Sequence, residues 1–171
     1  NGTTFAGSGT LVLLAQANSA TGVTLVVPTT VAKSALLSLA NTTIAGAFTN
    51  DGVVTMSNQN VTIGAGGAIL NRGEWTMSAA SGQNCQFFGN CSNFNPVSFT
   101  NEGTFRATGA GFKAVNNSCA PVVFTNTGSV FVDAGTLSFN CALANLASNR
   151  LAGGTWETSG DLRVPQAIRT L

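Results

Sequence analysis

The chain contains no histidine and no tyrosine, and only 8% of its 171 residues are charged. Without histidine the commonest general base near neutral pH is missing, and every Ser/His/Asp or Cys/His nucleophilic scheme goes with it. Seven basic and six acidic residues give a net charge of +1 and no basic cluster. A phosphate backbone or an anionic membrane surface needs such a cluster, so nucleic acid is excluded as a partner. No run approaches the ~18 uninterrupted apolar residues of a membrane span, which argues against insertion into a bilayer. Disorder is excluded as well, because 44% hydrophobic residues with little charge is the reverse of a disordered composition. With no histidine and no CxxC spacing there is no zinc site to expect, and no cofactor motif is present. Solubility must come from Thr, Ser and Asn, a surface that suits a secreted or cell-surface protein.

The four cysteines, Cys85, Cys91, Cys119 and Cys141, fit two disulfides in an oxidising compartment. Three pairings are open. The spacing favours Cys85 with Cys91, closing the short CQFFGNC loop, and Cys119 with Cys141, which stand close to one coil of the repeat apart. Sequons at Asn1, Asn41, Asn60, Asn90 and Asn116 permit N-glycosylation without indicating it, because chance alone yields about that many in so Asn- and Thr-rich a chain.

Internal repeats decide the fold. FTNDGVVTM, ILNRGEWTM, FTNEGTFRA and FTNTGSVFV align on Asn50, Asn71, Asn101 and Asn126, which follow one another at unequal intervals. Each has an apolar residue two before the Asn, a Gly two after it (Gly52, Gly73, Gly103, Gly128), and then alternating apolar and small polar residues. Alternation marks short strands with one face buried, and the Asn-x-Gly marks a sharp turn, where Gly is expected to supply φ > 0 and Asn to bond the backbone or stack on its equivalents. The expected fold is an all-β parallel β-helix (β-solenoid), right-handed by the rule for parallel connections, with coils of roughly 20–30 residues and loop excursions. In-register stacking then places Arg72 between Asp51 and Glu102 as an exposed charge ladder.

Residues 79–97 are the longest departure from the repeat and read as a loop excursion. Its Phe87, Phe88 and Phe94 are candidates for a partner surface. The segment CALANLASNR from Cys141 reads as containing a helical turn. Trp75 and Trp156, which follow turn motifs, are weighed between core packing and stacking on a sugar. The six acids show no DxD or DD spacing, so polysaccharide cleavage would need distant coils to bring carboxylates together. Thr is abundant, but no strict Thr-x-Thr array at constant spacing appears. LVVPTTV near the start and LRVPQAI near the end echo one another, so residues 1–171 read as one solenoid segment of a longer repetitive protein or as an end-to-end stacking unit.

The FTNxG motifs and LAGGTW, set in a low-charge, Thr/Asn/Gly-rich chain, resemble the repeats of bacterial surface β-helix proteins, the filamentous-haemagglutinin-type adhesins and autotransporter passengers. That resemblance implies an extracellular structural or adhesive fibre segment, not an enzyme, with a host or carbohydrate surface or further copies of the chain as partners. The alternatives are a polysaccharide-binding or polysaccharide-cleaving β-helix and a self-assembling filament subunit.

Overall fold

The structure, a computed structural model, describes residues 2–89, 95–117, 120–148 and 150–165. Three parallel sheets of eight, seven and seven strands, here faces A, B and C, run along one axis, and each turn of chain adds one strand to each face. The fold is a parallel β-solenoid, with no helix among the described residues. The first coil places Thr3–Phe5, Leu11–Leu13 and Asn18–Thr21 on faces A, B and C, and the second Val23–Leu25, Thr29–Val31 and Leu36–Ala40. The third places Thr42–Ile44, Ala47–Asn50 and Val53–Ser57, and the fourth Asn60–Ile63, Ala68–Asn71 and Glu74–Ser78. The fifth and sixth continue with Asn84–Gly89, Val97–Asn101 and Thr104–Thr108, then Phe112–Asn116, Val122–Asn126 and Ser129–Val132. The seventh has Thr136–Asn140, Ala142–Leu143 and Thr155–Thr158, and Asp161–Arg163 adds an eighth strand to face A.

Strand alternation fills the interior. Phe48, Ile69, Phe99, Phe124 and Leu143 point inward from face B, Val54, Trp75, Phe105 and Val130 from face C, and Val61, Phe87, Val115 and Phe139 from face A, all buried. Because parallel rungs lie about 4.8 Å apart, rings on successive coils meet directly. Trp75 touches Phe48, Phe87 and Phe99 at centroid distances of 5.8, 5.3 and 5.2 Å, and the chain of contacts passes through Phe105 and Phe124 to Phe139 and Trp156. Edge-to-face pairs of this kind contribute roughly 0.5–1.5 kcal/mol each beyond the area they bury.

The Asn-x-Gly turns occupy the corner between faces B and C. Asn50, Asn71, Asn101 and Asn126 stand in register and are fully buried. Nδ2 of Asn50 donates to Oδ1 of Asn71, Asn71 to Asn101 and Asn101 to Asn126, each at 2.7 Å. The same amides reach up to the carbonyls of Glu74, Thr104 and Ser129 at 2.9, 2.9 and 3.0 Å. The ladder thus satisfies corner carbonyls that a tight turn would otherwise leave without a partner inside the core.

The glycines of the motif act differently from the expectation. Gly52, Gly73, Gly103 and Gly128 are not among the residues with positive φ. They are needed because a Cβ on Gly73, Gly103 or Gly128 would collide with the carbonyl oxygen of the equivalent glycine one coil below. Close stacking of the corners, not backbone handedness, requires glycine there.

Two other expectations change. Within residues 79–97, Asn84–Gly89 is a strand paired on both sides within face A, because its Cys85 and Phe87 continue the inward alternation of Val61 and Val115. After Cys141 the chain forms a small antiparallel hairpin, Leu146–Ala147 with Arg150–Leu151, where a helical turn was expected. Asn145 braces it by donating to the carbonyls of Asn126 (2.8 Å) and Ala152 (2.6 Å), a long-range tie that local propensity cannot reveal.

Replacing Asn101 by Ala strands one buried N–H of Asn71, leaves Oδ1 of Asn126 without its donor and takes the amide N–H away from the Ser129 carbonyl, three groups at about 1–3 kcal/mol for each one left unsatisfied. Urea denaturation of Asn101→Ala should show a stability loss of about 3 kcal/mol. A loss below about 1 kcal/mol would mean that the ladder is not a stabilising contact.

Candidate functional site

The inward positions fill the interior, so any partner meets the outward columns of the three faces. On face A, Thr4, Thr24, Thr43 and Thr62 stand in register. On face C the column is Ser19, Ser38, Thr55 and Thr76, with Ser38 and Thr55 hydroxyls 3.1 Å apart. Face B carries Thr30, Thr49, Leu70, Thr100 and Thr125. On face B a second outward column, Ala47, Ala68, Ser98 and Val123, runs beside it, and coils of unequal length hide these columns from the sequence.

One group of charges sits at the corner between faces B and C. Arg72 lies between the two acids of neighbouring coils, with Nη1 3.7 Å from Oδ1 of Asp51 and Nε 3.3 Å from Oε2 of Glu102. All three side chains are at least one third exposed. A solvated ladder of this kind contributes little, because water and salt screen it and ordering two long side chains costs entropy.

Cys85 and Cys141 are free thiols and both are buried. No disulfide is formed among the described residues; Cys91 and Cys119, the expected partners of Cys85 and Cys141, lie outside them. Cys85 occupies an inward position of its strand, its thiol 3.7 Å from the carbonyl oxygen of Met56, and so faces the core instead of a loop. Burial pushes the Cys85 thiol up to about 11, with backbone hydrogen bonding and the Lys113 ammonium offsetting part of the shift. Burial pushes Cys141 up to about 12.

Lys113, which the sequence did not single out, is in register with Cys85 and is fully buried. Its ammonium donates to the carbonyls of Gly109 (2.6 Å), Gly111 (3.0 Å) and Ala134 (2.8 Å), closing the corner between faces C and A. Burial lowers its pKa from the ordinary lysine value. With three acceptors and no exposure it is a corner plug and offers no access to a substrate.

The aromatic candidates separate. Phe87 is fully buried in the ring stack, so its assignment to a partner surface is overturned by the same alternation that makes its segment a strand. Phe88 points outward from face A and is half-buried, while Phe94 lies outside the described residues. Trp75 is core, and Trp156 is half-buried with its ring 5.9 Å from Phe139. Of the sequons, Asn41 is exposed at a corner with φ 48°, and Asn60 is exposed at the start of a face A strand. Asn116 is tied to Gln86 (2.9 Å) and Asn140 (2.8 Å), and Asn1 and Asn90 lie outside the described residues.

One place combines an outward aromatic with carboxylates. Toward the end of face C, Phe131, Asp133, Glu157, Thr158 and Ser159 line a shallow depression of about 310 Å³. Arg106, one coil below, holds Asp133 at 2.6 Å and lays its guanidinium 4.6 Å from the centre of the Phe131 ring. Periodicity did not reveal this group, because its members come from three successive coils and stand far apart in the chain. No group of three or more potential metal ligands occurs among the described residues.

Comparison with protein-family models, curated proteins and solved structures finds no match to this chain.

Removing the Arg72 guanidinium (Arg72→Ala) should change the unfolding free energy by less than about 1 kcal/mol, and less still at high salt; a larger loss in denaturant melts would assign the ladder a real structural share. For the thiols, both folded values exceed the ordinary 9.0, so the unfolded chain releases these protons first as pH rises. Their contribution is intact below pH 9.0 and is lost between 9.0 and about 11 for Cys85. Peptide mapping after iodoacetamide treatment at mildly alkaline pH, below that window, should find Cys85 and Cys141 unmodified in the folded chain and modified in denaturant. Native labelling of either would contradict their burial.

Proposed function

We propose that this chain is a length of a structural and adhesive β-solenoid shaft exposed outside the cell. The observation that carries this reading is the continuity of the core: the buried Asn50, Asn71, Asn101, Asn126 ladder and the ring stack run through successive coils in register. A rod built this way resists bending, because each rung is tied to the next by backbone hydrogen bonds, side-chain amides and rings at once. Its outward columns of Thr, Ser and small residues keep it soluble with few charges. Such a surface presents hydroxyls and shallow relief, which suits broad contact with a carbohydrate or host surface better than capture of a small substrate.

The resemblance of the FTNxG and LAGGTW motifs to surface-fibre repeats supports the same reading. Assembly of copies end to end is a second reading. In the first coil Phe5 is exposed, and Leu11, Leu13, Leu25 and Leu37 border an opening of about 240 Å³; a coil stacked there, from the same chain or from a copy, would cover these inward groups and pair the strand edge.

Immunogold electron microscopy of native cells, with an antibody raised against this chain, tests the proposal. Label on the cell surface or on surface-attached fibres is expected. Label confined to the cytosol would overturn it.

A further inference from the structure

Outward positions on face C change character along the axis. The column Ser19, Ser38, Thr55, Thr76 continues as Arg106, Phe131 and Glu157, so hydroxyls give way to a cation, a ring and a carboxylate on three successive rungs. Asp133 stands two residues beyond Phe131 on the same rung and is bonded by Arg106 through Oδ2 at 2.6 Å. That bond pairs the two side chains through one carboxylate oxygen of Asp133. Arg106 and Asp133 are 34% and 44% exposed, so the group is reachable from solvent.

From this group we infer that the depression bounded by Phe131, Asp133, Glu157, Thr158 and Ser159 is a binding site for a neutral glycan, resting on the adhesive reading above. A sugar ring has an apolar C–H face and an edge of hydroxyls. The site offers the part of the half-buried Phe131 ring that the Arg106 guanidinium leaves uncovered for the first, and carboxylate and hydroxyl oxygens for the second, and charged acceptors make the stronger hydrogen bonds. The volume of about 310 Å³ is at the small end for ligand sites, enough for one or two sugar units. Rungs about 4.8 Å apart let neighbouring units of an extended chain meet neighbouring coils.

The charge balance selects the class. One guanidinium against two carboxylates leaves the site net negative, and the guanidinium is already paired, so sulfated or uronic-acid glycans are repelled. An apolar peptide side chain is a poorer occupant, because the floor and rim of the depression are polar apart from Phe131 and Val132. A shallow, half-exposed site binds weakly, with a dissociation constant on the order of 0.1–1 mM per oligosaccharide.

The test is a two-dimensional ¹H–¹⁵N NMR titration of the chain with cellohexaose, xylohexaose, mannohexaose and a heparin hexasaccharide. At least one neutral oligosaccharide should shift the amides of Phe131, Asp133 and residues 157–159, and heparin should not. Phe131→Ala should weaken binding at least tenfold and Glu157→Gln several-fold. Both residues point outward, and the spectrum itself reports whether each variant is folded; the near-isosteric Glu157→Gln carries the test if Phe131→Ala does not fold. The inference is overturned if no neutral sugar shifts these amides, if only heparin does, or if folded variants bind unchanged. It is also overturned if the same amides shift with protein concentration alone, which would make a second copy the occupant. Shifts confined to face A or B would reject this site and leave the adhesive reading standing, whereas cytosolic immunogold label would reject that reading whatever the titration shows.

Discussion

The structure depends on one constraint, the in-register stacking of the corner between faces B and C. Four buried asparagines bond side chain to side chain at 2.7 Å, and beside them glycines pass so close that no Cβ fits. The two requirements reinforce one another. Glycine lets the corners approach, and the approach brings one amide within reach of the next. Once the corner is set, the strands on either side must pair in parallel, because the period-two alternation allows one register that buries Phe and Val and exposes Thr and Ser.

A fixed corner also explains how coils of unequal length share one shaft. Through the sixth coil extra residues leave at other corners, as in the turn before Asn84 between faces C and A. In the seventh coil the corner between faces B and C itself opens into the hairpin of Leu146–Ala147 and Arg150–Leu151. In the hairpin, Asn145 bonds back to Asn126, so even an excursion is tied to the ladder. Lys113 has a comparable task at the corner between faces C and A, where its ammonium gathers three carbonyls from the stacked turns. A buried cation is costly in isolation, and three acceptors make it tolerable.

Function on such a shaft belongs to its outward columns, and those are uneven. Face B, at its outward positions, is charge-free and made of Thr, Ala, Ser, Val and Leu. Face C ends in a cluster of charge around a ring. The cluster arises from stacking alone: Arg106, Phe131 and Glu157 are far apart in the chain and become neighbours because each occupies the same place on its rung. The deeply buried thiols contribute to the core as small apolar groups and lie away from this surface.

Alternating apolar residues around Asn-x-Gly were enough to read the solenoid and the neighbourhood of Arg72 from sequence, because strand period and repeat register are local and translational properties. What lay outside that reach depended on direction and on the third dimension. Whether Cys85 and Phe87 belonged to a loop or to a strand turned on one register choice, and pairing with Val61 and Val115 sent both inward. The role of Gly103 is hidden from the sequence because its constraint comes from a carbonyl one coil away, not from its own φ. Lys113 and the Phe131 depression carried no sequence signal, since their partners are gathered from different coils. The sequence by itself determined the fold class and the ladder, whose information repeats along the chain; only the tertiary structure decided which side chains face the core and which meet across rungs, because that follows from stacking coils of unequal length.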